Sequence, residues 1–311
     1  MTQRQHTAAF IASLIAMLAV AVAVQVIRDR AFAYAAVEKQ VLYVSNTEVV
    51  RRAALSYSTL LADVYWIRAL QHYGGERFKP DRDRRYDFLY PLLDLATTLD
   101  PRFSIAYRFG AIFLAEPRPG GAGRPDQGIA LLKKGVAFDQ GHWDYYHDIG
   151  FIYYWNLHDY HNAADWFARG GALPGAPFWL KTYAAVMLTR GGDRQASRTM
   201  WTQIGQNEES DWLRRMSQLR LAQLDALDQL DVLQRVLTDF TKRTGRTAES
   251  WEQMAAAGFL RDVPVDPAGT PYALDSVTGR IAVRRDSPLW PLPTEPAAAP
   301  EMRAAPLSAP R

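Results

Sequence analysis

The hydrophobic positions of this chain change period along its length, and each change marks an element. Residues 8 to 26 form an almost unbroken apolar run, with Ser13 and Gln25 its only polar members. As a helix this run spans roughly 28 Å, close to the hydrocarbon thickness of a bilayer. Residues 47 to 73 carry Leu60, Leu61, Val64, Ile67 and Leu70, with Trp66 and Tyr73, at 3.6-residue spacing. That spacing predicts one long helix, stopped by Gly74 and Gly75. Asp63 and Arg68 fall inside the same stripe and are read as facing neighbouring helix ends or each other's partners. Short helices follow from about 86 to 224. Residues 211 to 241 repeat leucine at three- and four-residue steps, which predicts a helix capping the ones before it. Residues 247 to 257 predict another, with Ser250 and Gln253 at capping-box spacing and Gly258 as its stop. Beyond 272 the period falls to two. Ala273-Leu274-Asp275 and Arg280-Ile281-Ala282-Val283 predict a β-hairpin that must dock on the helices, since two strands alone are marginal.

The short helices repeat a motif. Its clearest copy reads Tyr146-x2-Ile149-Gly150-x2-Tyr153, then Ala163-x3-Phe167, closing at Ala172-Leu173-Pro174. An earlier second helix reads Leu89-x3-Leu93-x2-Ala96-x2-Leu99-Asp100-Pro101. Between them stand Phe109-Gly110-x2-Phe113 and Gly128-x3-Leu132-x2-Gly135, and a later copy has Tyr183-Ala184-x2-Met187 with Ala196-x3-Met200. The small residues let paired helices approach closely, and the large ones fill the facing gaps. This spacing resembles the tetratricopeptide repeat. The departures are Gly at 128 and 135, Gln140 in place of Pro, and a Pro/Gly-rich insertion at 116 to 125. The resemblance implies a right-handed superhelix whose concave face binds peptides or partner proteins; it transfers no individual binding residue. The aromatic set Trp143, Tyr146, Tyr153, Tyr154 and Trp155 is the candidate partner-binding groove. Aromatic faces also suit sugars, so a glycan-binding or envelope-enzyme accessory role stands as the alternative.

The far end has its own resemblance. A helix from 237, the Gly258-Phe259-Leu260 turn and Asp266-Pro267-Ala268-Gly269-Thr270-Pro271-Tyr272 precede the hairpin. The segment from 237 to 283 resembles the C-terminal region of type II secretion pseudopilins, although the pseudopilin N-terminal methylation motif is absent.

Composition narrows the chemistry. The net charge is +3 over 311 residues, which excludes nucleic acid as an expected partner. Cysteine is absent, so disulfides, thiolate nucleophiles and cysteine-ligated metals are excluded. The densest polar cluster is His142 to Asp148, with His158, Asp159 and His161 further on. About 15 Å of helix separates its two halves, so no metal site is expected. Asp266 could offer a carboxylate to calcium, but no acidic cluster surrounds it. No P-loop, GxSxG, HExxH or GxGxxG opening a helix is present, and no enzyme activity or cofactor is expected.

The resulting expectation is an all-α chain, a tetratricopeptide-like α-solenoid with an N-terminal transmembrane helix and a small C-terminal helix plus β-hairpin. Its divisions are an anchor at 1–30, a helix and loop at 37–85, repeats at 86–225, the C-terminal module at 226–285 and a disordered Pro/Ala-rich tail at 286–311. Ala31-Phe32-Ala33 has the form of a signal cleavage site, but Arg28-Asp29-Arg30 before it favours an uncleaved anchor. The expected setting is single-pass in the inner membrane with the bulk periplasmic. The expected partners are proteins on the solenoid and the membrane through the N-terminal helix.

Overall fold

The computed structural model of the chain describes residues 3–31, 47–206 and 210–296. It forms two compact units, residues 1–57 and 58–311. In the first, α1 (Gln3–Ala31) is a single helix of 29 residues. Its described side chains, residues 13–27, are all exposed. They cover roughly 22 Å of helix, and among the described residues no helix is long and apolar enough to cross a membrane. The first five side chains of the expected span at 8–26, and the cleavage-like residues Phe32 and Ala33, lie outside the described residues. After them comes α2 (Thr47–Ala54), followed by a 3-10 turn at Leu55–Tyr57. The single helix expected over 47–73 is therefore broken. Ser56 and Ser58 sit at the break, where hydroxyls compete for backbone groups.

In the second unit α3 (Ser58–Arg77) runs through Gly74 and Gly75 instead of stopping there. Glu76 carries the helix on: it is 5% exposed and takes the Lys79 Nζ at 2.9 Å and the Arg85 amide at 2.6 Å. Pro80 then ends it. The buried face of α3 is Ala62, Tyr65, Ala69, Tyr73 and Glu76; of the stripe predicted from the sequence only Tyr73 belongs to it. Leu60, Val64, Ile67 and Leu70 are exposed, and so is Asp63.

Seven helices follow: α4 (Leu89–Leu99), α5 (Ser104–Ala115), α6 (Pro125–Phe138), α7 (Trp143–Trp155), α8 (Tyr160–Gly171), α9 (Trp179–Arg190) and α10 (Arg194–Gly205). Each packs on the next, and α4 also reaches α6 as α5 reaches α7. Where the motif places glycine, a side chain has no room. A Cβ on Gly150 would lie 2.7 Å from Phe167, and one on Gly110 would lie 2.8 Å from Leu93. The loops before α8 and α10 repeat one device. His158 (φ 53°) and Gly192 (φ 82°) turn the chain in the left-handed region, and the following aspartate caps the next helix. Asp159 accepts from the Asn162 amide and Asp193 from the Ala196 amide.

The charged stretch 77–85, read from sequence as a solvated loop, is tied down by Arg84. Its guanidinium donates to the carbonyls of Lys79, Arg77 and Pro119, the last at 2.6 Å. Pro119 belongs to the Pro/Gly insertion, where Tyr86 also donates to the Gly120 carbonyl. The insertion is thereby a fixed connection between α5 and α6.

The long α11 (Asp211–Thr244) packs on α10, as a capping helix would. Its second half carries a separate core with α12 (Trp251–Ala256) and the hairpin β1 (Ala273–Asp275) and β2 (Arg280–Ala282). Ser250 caps α12 through the Gln253 amide, and Gly258 (φ 79°) ends it. The Gln234 side chain docks the hairpin, donating to the Gly279 carbonyl and accepting from the Ile281 amide. Composition assigned everything from 286 to a disordered tail; residues 286–296 are instead a packed strap, and 297–311 lie outside the described residues. Leu289 is 3% exposed in the core, because Gln223 on α11 donates to the Leu289 and Pro291 carbonyls. Arg194 on α10 holds Glu295 at 2.5 and 2.6 Å. Among the described residues, twelve α-helices and one two-stranded sheet make the fold all-α.

Candidate functional site

The exposed side of α5 and α7 carries an ordered pattern of charge and apolar surface. Arg108 on α5 bridges to α7, with its Nε 2.6 Å from Asp148 Oδ2 and its Nη1 3.2 Å from Asp144. The hydrogen bond to Asp148 holds the Arg108 pKa above its ordinary value. Beside this pair lie exposed Ile105, Phe109 and Ile112 on α5 and Phe151 and Trp155 on α7. On α3, exposed Leu60, Val64 and Ile67 add further apolar surface. One helical turn apart, the Phe151 and Trp155 rings stack at 6.1 Å. The His147 ring lies 6.2 Å from Phe151 and 5.3 Å from Trp179, joining α7 to α9.

The five aromatic residues read from the sequence do not form one groove. Of them Trp155 lies on this exposed face; Tyr154 is partly buried against the α8–α9 core, its ring 6.1 Å from Trp155 and its Oη accepting from Arg190 at 2.7 Å. Trp143 and Tyr153 are partly buried against the α8–α9 core, where Trp143 meets Trp179 edge-on. Tyr146 leans on Trp166 of α8, and a Cβ on Gly170 would lie 2.8 Å from its own Cβ. Tyr146 and Tyr153 occupy motif positions, and motif positions face the paired helix. The residues that sequence reasoning missed, Phe151 and His147, sit just beside the motif glycine and tyrosine. Offset from the motif was the available signal.

Polar clusters elsewhere have local tasks. His147 pairs with Asp148 at 2.8 Å and His142 with Asp144 at 3.5 Å. Among the described residues no three His, Asp or Glu side chains gather as a metal set. Asp266, considered for calcium, is 3% exposed and faces donors: the amides of Ala268 and Thr270, and Ser287 Oγ at 2.5 Å. It ties the 264–272 loop to the strap. Tyr73 donates to Glu116 and accepts from Arg77, joining α3 to the end of α5; burial pushes its phenol up to about 12.

Two cavities lie in the C-terminal half. One of 350 Å³ opens between α11 and the 264–272 loop, against Val232, Leu233, Val265 and Tyr272. The other, of 180 Å³, lies under the strap between α9, α10 and α11. Compared with protein-family models, curated proteins and solved structures, the chain matches none of them.

Proposed function

We propose that this chain is a membrane-anchored, tetratricopeptide-like scaffold that binds a protein partner along the exposed face of its first-of-pair helices. The observation that carries the reading is the apolar surface on α5 and α7. Phe109, Ile112, Phe151 and Trp155 are between 43% and 60% exposed on consecutive pairs. Exposed apolar side chains set beside ordered charge, here Arg108 with Asp144 and Asp148, are the usual make-up of a protein-binding surface. The small-residue contacts at Gly110 and Gly150 support a repeat-like stack. The apolar run in α1 supports the anchor, with the bulk on the periplasmic side of an inner membrane. A secretion, pilus or transport assembly is the class of partner this reading implies. The glycan alternative draws less support, because the rings of Phe151, Tyr154 and Trp155 pack on one another.

The test is capture of partners by the full chain from solubilised membranes, compared with Phe151→Asp/Trp155→Asp. The expected result is at least a tenfold loss of a specific partner with the melting temperature unchanged. An unaltered set of captured proteins would overturn the assignment of this face. Extraction of the full chain by alkaline carbonate would overturn the anchor.

A further inference from the structure

Among the described residues, the acidic side chains at the α10–α11 end are spent on two arginines, and two other arginines nearby have no carboxylate partner. Arg194 takes Glu295, Asp228 and Asp231, while Arg198 takes Asp225 and Asp228. Arg190, at the end of α9, has a neutral partner in Tyr154 Oη and lies over that ring at 5.3 Å. Arg220, on α11, donates from Nη1 to Gln223 Oε1 at 2.9 Å. Its Nε is buried and has no hydrogen-bond partner among the described residues. Burial moves the Arg220 pKa downward. An arginine cannot escape this cost by giving up its proton, so the cation stays, desolvated and unpaired.

Both arginines line the same 180 Å³ cavity, with Thr189 and Thr294 among its polar members and Trp201, Leu224 and Leu292 among its apolar ones. That volume is about six water molecules, enough for one small polyatomic group. A guanidinium matches the paired oxygens of phosphate and carboxylate with parallel donors. We infer that this cavity is a binding site for a small oxyanion, with a phosphate group as the occupant that two unpaired guanidinium charges fit best. The strap forms its outer wall. Gln223 serves both, its oxygen on Arg220 and its amide nitrogen on the Leu289 and Pro291 carbonyls, so a bound anion also steadies the strap. The inference is independent of the partner-binding face.

The probes are inorganic phosphate and acetate, each against chloride at equal ionic strength, with the melting temperature of the purified full chain as the readout. At a phosphate concentration about fivefold above its dissociation constant, the native chain should melt about 2–4 °C higher than in chloride. Arg220→Met should lose that gain. In chloride it removes a desolvated charge but also leaves Gln223 Oε1 without its donor, opposing effects, so the phosphate gain of each variant is read against that variant's own chloride value. Arg190→Gln, which leaves Arg220 in place, should weaken the response at least fivefold and serves if Arg220→Met fails to fold. A larger response to acetate than to phosphate would overturn the phosphate assignment. Equal behaviour in all three salts, or a phosphate gain retained by both variants, would overturn the site.

Discussion

Two glycines in helix interiors offer a comparison in which helix propensity is held constant and only the neighbours differ. Gly74 in α3 has nothing within 4 Å of where a Cβ would stand. Gly150 in α7 would place its Cβ 2.7, 2.8 and 3.1 Å from three ring atoms of Phe167. That ring is 2% exposed and hemmed in by His147 at 5.9 Å and Tyr183 at 5.7 Å. It cannot swing away without disturbing α9. In an open helix, Gly→Ala is favourable by about 1 kcal/mol. Forcing a methyl into a filled interface costs about 1–3 kcal/mol, which outweighs that gain. Gly74→Ala should therefore stabilise by about 1 kcal/mol, and Gly150→Ala should destabilise by about the same. For a unit of this size the two alanines should melt about 4–8 °C apart. Thermal unfolding followed by circular dichroism reads the difference directly. In the Gly150→Ala background, Phe167→Leu should cost less than it does alone, because it removes the clash. If Gly150→Ala raises the melting temperature as much as Gly74→Ala, close helix approach is not why glycine stands in the motif.

The bridge from Arg108 to Asp148 joins alternate helices with Asp148 only 12% exposed, so a double-mutant cycle of Arg108→Ala and Asp148→Ala should give about 1–2 kcal/mol of coupling in urea unfolding; coupling indistinguishable from zero would make it a solvent-screened surface pair. Burial raises the phenols of Tyr73, Tyr107, Tyr145 and Tyr272 to about 12. Unfolded phenols ionise near 10, so the stability these groups contribute is intact below pH 10 and falls as pH rises from about 10 to 12. Absorbance titration should show a late class of tyrosines that joins the early class in denaturant. A single class near pH 10 in the native protein would refute this.

Contacts between paired helices were legible because they leave a mark in the sequence. A close approach demands Gly or Ala, and the facing gap demands a large residue, so Gly150 with Phe167 announces itself; Gly110 instead meets Leu93 on α4, the helix of the preceding unit. The hairpin was legible for a similar reason: Gly279 (φ 64°) and Asp275 Oδ1, which accepts from Val277 and Thr278, are turn chemistry. What stayed hidden depends on partners distant in sequence. The strap at 286–296 is rich in proline and has no period, and its order comes from Gln223 and Arg194, more than 60 residues upstream. Gly74 and Gly75 resembled a helix stop, but Glu76, bound to Lys79 and the Arg85 amide, outweighs their weak propensity. The candidate site was half legible. Aromatic density points to α7, yet of the five residues only Trp155 is exposed, beside Phe151.

The error on α3 carries the most physics. Periodicity predicts a stripe of Leu60, Leu61, Val64, Ile67 and Leu70 with Trp66 and Tyr73, but of these only Tyr73 is fully buried, and the helix buries Ala62 and Ala69, both 0% exposed, together with Tyr65. Two helices packed closely need small residues at the crossing, and Tyr73 then reaches past them to stack on Phe113 of α5 at 4.2 Å. The aliphatic Leu60, Val64, Ile67 and Leu70 are left exposed. Aliphatic weight alone therefore points to the wrong side of this helix, and the alanines at 62 and 69 mark the close crossing. This makes opposite predictions for neighbouring positions. Ile67→Ser removes a large apolar side chain that is 51% exposed, and it should leave stability within about 0.5 kcal/mol. Ala69→Val adds only two methyl groups, yet it should cost about 1–3 kcal/mol by overpacking the crossing. Urea midpoints of the two variants decide it. If Ile67→Ser proves the more damaging, α3 buries its bulky face, and Leu60, Val64 and Ile67 cannot belong to an exposed binding surface.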